Sequence, residues 1–139
     1  MLVTTFAQGI KQICPLGDYT RPACHLLLGN GQVYSRGANS KGELGTGDTN
    51  SLANFTLNTR LPEAVTKIFA CYEQSFFLGV SGKLYACGNN SQGALGLASL
   101  TSVTVPQEVP LAGVTEVWVN GDYLYAKGSV VFRNAAGYW

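Results

Sequence analysis

The chain is poor in charge. Only 12% of its 139 residues are Asp, Glu, Lys or Arg, about half the ~25% usual in globular domains. Nine basic and eight acidic residues leave a net charge of +1. That balance excludes the basic face of a general nucleic-acid binder, and nothing marks a membrane surface. No apolar run approaches the ~20 residues of a spanning helix. The opening MLVTTFAQGIKQ has no charged segment followed by a long apolar stretch, so no signal peptide is read there.

Other chemistry is scarce as well. There is one histidine, His25, with no nucleophile in motif context. Beside Leu26, Leu27 and Leu28 it reads as a satisfied or exposed strand residue. The four cysteines, Cys14, Cys24, Cys71 and Cys87, form no CxxC pair, which excludes the usual zinc spacings. Cys71 and Cys87 sit in apolar strand-like runs and read as buried thiols. Cys14 and Cys24 bracket a loop with two prolines, and a bridge between them would need an oxidising compartment. The acidic residues are scattered, with no paired-carboxylate spacing. Asp48 reads as a turn former. No catalytic residue, metal ligand or cofactor site is assigned, and the chain is read as a non-enzyme.

Sustained helical periodicity is missing too, and 17 glycines punctuate the sequence. What is present is repetition. GQVYSRGANSKGELG (Gly31–Gly45) and GKLYACGNNSQGALG (Gly82–Gly96) align without a gap, 51 residues apart. They share Gly31/Gly82, Tyr34/Tyr85, Gly37/Gly88, Asn39/Asn90, Gly42/Gly93, Leu44/Leu95 and Gly45/Gly96. A second element precedes each copy and recurs once more: IKQIC at Ile10–Cys14, VTKIF at Val65–Phe69 and VTEVW at Val114–Trp118. Repeats of this length signal stacked units that cannot bury their faces alone.

Each unit reads as about four short strands. VTKIFA, SFFLGV and KLYACG are separated by brief polar connections, and Asn30-Gly31 is a tight-turn dipeptide between LLL and QVYS. FTLN (Phe55–Asn58) and SVTVP (Ser102–Pro106) supply fourth strands. The fold expected is all-β: antiparallel four-stranded blades of β-propeller type, incomplete in one chain. We read one domain over 1–139, with units at about 10–64 and 65–113 and partial blade strands at 1–9 and 114–139.

A glycine-rich loop with a lysine, Lys41, raises the question of phosphate binding. A phosphate cradle opens a helix, and no helical pattern follows this loop. Its twin carries Gln92 in the lysine's place. The repeated glycines are expected to supply positive φ or close packing, and Asn39 and Asn90 to bond turn backbone.

The shared motif resembles the repeat of the regulator of chromosome condensation family, in which GxVYxWGxNxxGQLG closes one repeat and a V-x-x-V strand opens the next. The resemblance implies a propeller, commonly of seven blades, and a protein-binding or exchange-factor role on a small nuclear GTPase. Departures stand out. Arg36 and Cys87 replace the family tryptophan, and Cys71 and Gln74 replace its Gly-x-x-His pair. Two units cannot close a ring of four to eight blades.

The function expected is therefore structural: a self-assembling component of a phage or viral particle, a homotrimer before a dimer, or one subunit among other structural subunits. Trp118, Tyr138 and Trp139 are its candidate interface aromatics. The alternative is an intracellular, cytoplasmic adaptor of the resembled family, with nucleotide exchange a lesser version. A glycan receptor has no motif behind it.

Overall fold

Short runs pair with their sequence neighbours, across tight turns or across the longer loops after Gly37 and Gly88, and that rule accounts for every strand pairing seen. The computed structural model describes residues 9–111, 113–119 and 124–127, which contain strands and no helix. The first sheet holds β1 (Ile10–Gly17), β2 (Pro22–Leu28), β3 (Val33–Gly37) and β4 (Leu52–Leu57) in that spatial order. The second holds β5 (Val65–Cys71), β6 (Gln74–Gly79), β7 (Leu84–Gly88) and β8 (Val103–Val109), again in chain order. A third sheet begins with β9 (Glu116–Val119) paired to β10 (Leu124–Lys127). All pairings are antiparallel.

The sheets are copies in register and in irregularity. Cys14 faces His25, which faces Ser35; in the second sheet Phe69 faces Phe76, which faces Ala86. In the third, Trp118 takes the place of Cys14 and Phe69. Register breaks recur at Ile10/Gln12 and Val65/Lys67, and again at Ser35/Gly37 and Ala86/Gly88. Such bulges bend a strand at a fixed place, so the two blades are twisted alike.

The outer strands run longer than the sequence suggests. β4 begins at Leu52 rather than Phe55, and β8 continues past Pro106 to Val109. Both are edge strands with half-exposed side chains, so their alternation is weak. A proline on an edge strand can turn its missing donor away from the ladder.

The core lies between sheets. Leu27 and Val33 from the first pack with Ile68, Phe76, Phe77 and Leu84 from the second and with Val114 and Val117 leading into the third. Phe76 and Phe77 are consecutive on β6 and both fully buried. A strand can bury successive residues only if both faces of its sheet are covered. Burial of each ring contributes about 1.5–3 kcal/mol.

All four cysteines are free. Cys14 is registered with His25 and Cys24 with Pro15, so the two thiols are not cross-strand partners. Cys87 is buried as expected, whereas Cys71, at the end of β5 beside a turn, is only half-buried. The terminal segments, with Tyr138 and Trp139, lie outside the described residues.

Candidate functional site

The two glycine-asparagine loops have the same internal geometry. Each starts at a glycine that leaves an inner strand at φ near +110°, Gly37 and Gly88. A Cβ there would lie 2.4 Å from Pro22 O in one loop and 2.1 Å from Glu73 O in the other, so only glycine fits. Gly42 N donates to Asn39 O and Gly93 N to Asn90 O, at 3.0 Å in both loops. Gly45 and Gly96 then donate back to Gly42 and Gly93. The asparagine side chains hold the centre. Asn39 Oδ1 accepts from Leu44 N at 2.9 Å, and Asn90 Oδ1 from Leu95 N at 3.2 Å. Asn39 Nδ2 donates to Thr46 Oγ1, Asp48 O and Asn50 O. Asn90 Nδ2 donates to Ser99 O at 2.7 Å. Both asparagines are fully buried, as are Leu44 and Leu95.

The first loop is also a fastener. Gly47 N donates to Thr104 O on β8 at 2.9 Å. A Cβ on Gly42 would meet Thr104 Cα at 2.7 Å, and one on Gly45 would meet Pro106 Cγ at 2.9 Å. The loop therefore lies directly against the outer strand of the next blade. Its inward donors are consumed by its own backbone, by Asn39 and by β8. Lys41 is exposed and the loop runs on into β4, so nothing here is shaped as a phosphate cradle. Asp48 Oδ1 accepts from Asn50 N and Thr46 Oγ1, closing a turn. Gly31 and Gly82 take φ near +85° in the hairpin turns before β3 and β7. Tyr34 is half-buried on β3, whereas Tyr85 is buried on β7 and donates its hydroxyl to Glu63 Oε2 at 2.8 Å.

A polar chain crosses the seam, and the sequence did not reveal it. His25 Nδ1 lies 2.6 Å from Ser35 Oγ and Nε2 lies 2.7 Å from Ser75 Oγ on the second sheet. Ser75 Oγ donates to Glu43 O at 2.6 Å. Ser75 has one hydroxyl proton and the carbonyl only accepts, which assigns the proton of the neutral imidazole to Nε2 and makes Nδ1 the acceptor from Ser35. Burial holds His25 down at a pKa of about 4, with the Glu43 carbonyl opposing it in part. Cys87 Sγ also reaches Glu43 O, at 3.5 Å, and burial pushes that thiol far up. Cys14 is likewise raised to about 11 by burial and by Cys24. Neutral buried thiols are poor nucleophiles. Burial also raises the Glu43 carboxyl, which accepts from Lys41 N. A repeat alignment misses this chain because His25 and Ser75 occupy different repeat columns. The nearest hint was a polar Ser75 in an otherwise apolar run.

Exposed aromatics gather where β1 turns into β2 and β5 into β6. Tyr19 is 96% exposed and Tyr72 60% exposed. The two turns are tied by Gly17 N to Tyr72 O at 2.7 Å and by an Arg21–Glu73 ion pair. Glu73 also accepts from Asn89 Nδ2. Tyr72 has φ +51°, the one non-glycine residue at positive φ among the described residues. That conformation disfavours a bulky side chain. Elsewhere, the face of the first sheet turned away from the second carries a shallow cavity of about 290 Å³, lined by Pro22, Ala23, Cys24, Arg36, Gly37 and Phe55. Trp118 on β9 is 54% exposed. Among the described residues no cluster of His, Cys, Asp or Glu is arranged to hold a metal, and no helix is long and apolar enough to cross a membrane.

Comparison with known proteins agrees with this geometry. Residues 81–119 match the family model of the regulator of chromosome condensation (RCC1) repeat. The dog (Canis lupus familiaris) X-linked retinitis pigmentosa GTPase regulator is 37% identical over 81 residues, covering 57% of this chain and 8% of that protein. Yeast RCC1 (Prp20), solved with Kap60 bound, superposes with a TM-score of 0.77 at 19% identity, over 92% of this chain and 29% of that one. Prp20p from Saccharomyces cerevisiae, in a structure described with its binding properties to Gsp1p and histones, superposes with a TM-score of 0.71 at 20% identity, over 86% and 31%. The chain thus spans less than a tenth of that regulator's length and under a third of each of these two solved chains.

Proposed function

Taking the chain as a tandem of regulator of chromosome condensation repeats, we propose that it is a protein-binding module in which the blades are scaffold and the exposed turns are the contact surface. The observation that carries this is the contrast between the loops and the turns. The loops spend their asparagine and glycine groups on themselves, and the first also on the next blade. The β1–β2 and β5–β6 turns are cross-tied yet present Tyr19 and Tyr72 to solvent. Rigid, exposed tyrosines lose little entropy on binding and are favoured anchors of interfaces. The solved relatives support the reading, since one is bound to Kap60 and another is described with Gsp1p and histones.

On this reading residues 10–64 and 65–113 are the two units of one domain, and the chain acts as an adaptor without chemistry of its own. The matched relatives favour this adaptor reading over a phage or viral structural component, which was the first expectation from the sequence. They lend no support to a virion location. Exchange on a GTPase is the narrower version. The test is direct binding of the purified chain to an importin of the Kap60 type, a small GTPase and core histones. Binding to one of them that is lost in the Tyr19→Ala, Tyr72→Ala double variant supports the reading. No binding to any of the three, or binding indifferent to both tyrosines, contradicts it.

A further inference from the structure

The two blades differ in the turns that open them. Residues 17–22 join Leu16 to Ala23, whereas Tyr72 and Glu73 alone join their twins Cys71 and Gln74. Gly17 and Tyr72 stand at the same place in the repeat, both at positive φ, +79° and +51°. Residues 18–21 are therefore an insertion that the second blade does without. They are nonetheless ordered by their own bonds. Thr20 N and Arg21 N donate to Asp18 Oδ1 at 2.8 and 3.0 Å, and Thr20 Oγ1 donates to the same oxygen. Gly17 N donates to Tyr72 O, and Arg21 pairs with Glu73, so the insertion leans forward over the second blade. It lies across a seam both of whose blades are described. Ordered residues that the fold does not need, and a tyrosine where the first blade has glycine, mark positions at which local rules yield to function.

The charges at these turns are unevenly matched. Glu73 takes the Arg21 guanidinium and the Asn89 amide, and the buried Glu43 carboxyl interacts with both Arg21 and Glu73. Three carboxylates thus stand against Arg21 and, on the loop that carries Glu43, Lys41. Asp18 is left over: among the described residues no salt bridge reaches it. The Thr20 hydroxyl, with the Thr20 and Arg21 amides, holds the Asp18 carboxyl below the ordinary carboxylate range. Next to it in the chain is Tyr19, 96% exposed, and across the tie is Tyr72, 60% exposed. Tyrosine rings present negative faces. An anionic partner would meet Asp18 with Arg21 already engaged. A planar cation finds a ring to stack on and a charge to pair with.

Resting on the reading of the chain as a protein-binding module, we infer that this surface takes an arginine-bearing segment of the partner. One guanidinium stacks on Tyr19 and pairs with Asp18, and the segment crosses to Tyr72. Both units contribute, so the site exists only where the seam is closed. Arginine and tyrosine are the residue types that most often anchor interfaces.

The test is amide NMR of the isotope-labelled wild-type chain titrated with a capped Gly-Arg-Gly-Arg-Gly peptide. The same peptide carrying citrulline keeps the planar shape and lacks the charge. The arginine peptide is expected to shift the amides of Tyr19, Thr20 and Tyr72 saturably, and the citrulline peptide to leave them in place. Tyr19→Leu keeps an apolar side chain without the ring. Asp18→Asn keeps an oxygen for the turn without the charge. Each variant is expected to bind the arginine peptide about two- to fivefold more weakly, with protection of the Gly17 amide from hydrogen exchange verifying that the turn is intact. No saturable shift, an equal response to citrulline, or an affinity unchanged in both variants overturns the inference. So does a partner protein that binds through Tyr19 and Tyr72 while the arginine peptide does not, a result that leaves the module reading standing. A peptide response at these amides supports the inference even where none of the importin, GTPase and histone probes binds.

Discussion

His25 Nε2 stands 2.7 Å from Ser75 Oγ, across the boundary between the first and second sheets. The imidazole is fully buried and neutral there, with a pKa near 4. In the unfolded chain it returns toward the ordinary value of about 6.5. Between those values the unfolded state binds the extra proton, so stability rises with pH across the window. Above about pH 6.5 the seam is at full strength. As pH falls toward 4 it loses about 3 kcal/mol, at ~1.4 kcal/mol per unit of pKa shift. Urea unfolding at a series of pH values measures this slope. The same series on His25→Phe is expected to lack that share of it, and an unchanged slope would remove His25 as its source.

The two loop asparagines differ in how much they hold. Asn39 makes four hydrogen bonds while fully buried, and Asn90 makes two of the same kind. Loss of the side chain leaves loop groups unpaired at about 1–3 kcal/mol each where they stay dry. Asn39→Ala is therefore expected to lower thermal stability more than Asn90→Ala. Asn39→Asp is expected to destabilise too, because an aspartate accepts from Leu44 N but cannot donate to Asp48 O and Asn50 O. Calorimetric unfolding of the three variants checks the order.

Glycines at similar backbone angles are expected to respond differently to the same substitution. Gly88→Ala puts a methyl 2.1 Å from the Glu73 carbonyl oxygen, whereas a Cβ at Gly82 meets nothing within 4 Å. Both carry a left-handed penalty of about 1 kcal/mol. Only the first must also push the β5–β6 turn aside. Gly88→Ala is expected to cost at least about 2 kcal/mol more than Gly82→Ala, as measured by denaturant midpoint at fixed slope.

Tyr72 sets stability against binding. Its φ of +51° suits glycine, and relief of that strain is expected to raise stability by up to about 1 kcal/mol in Tyr72→Gly. If the ring is the contact surface proposed above, the same variant binds its protein partner more weakly. A variant that is more stable and binds as well as the wild type would leave Tyr72 without a role in recognition. Removing the neighbouring Arg21–Glu73 pair, in which the Arg21 side chain is half-exposed, is expected to change stability by no more than about 1 kcal/mol.

Much of the architecture was legible because it repeats. The 51-residue offset of the Gly-x-Asn-x-x-Gly loops and the IKQIC, VTKIF and VTEVW starts foretold antiparallel four-stranded sheets and the beginning of a third. Strand ends on β4 and β8 were less legible, because burial along these two edge strands does not follow the period of two that marks a strand with one dry face. The seam was illegible for a different reason. Its members, His25, Ser35, Ser75 and the Glu43 carbonyl, come from two units and from different columns of the repeat. Only the stacking of one sheet on the next brings them together. Tyr19 and Tyr72 carry no motif in the sequence, and only their exposure and the positive φ of Tyr72 set them apart.

The Leu44 amide tests the central claim that the glycine-asparagine loop is a fastener and not a ligand loop. It donates to Asn39 Oδ1 at 2.9 Å within a buried turn. Native-state hydrogen exchange should find it opening only with the sheets, at the free energy of the strand amides of β2 and β6, with no change on addition of inorganic phosphate. Exchange at the rate of an open surface loop, or protection that appears only when phosphate is added, would contradict the account.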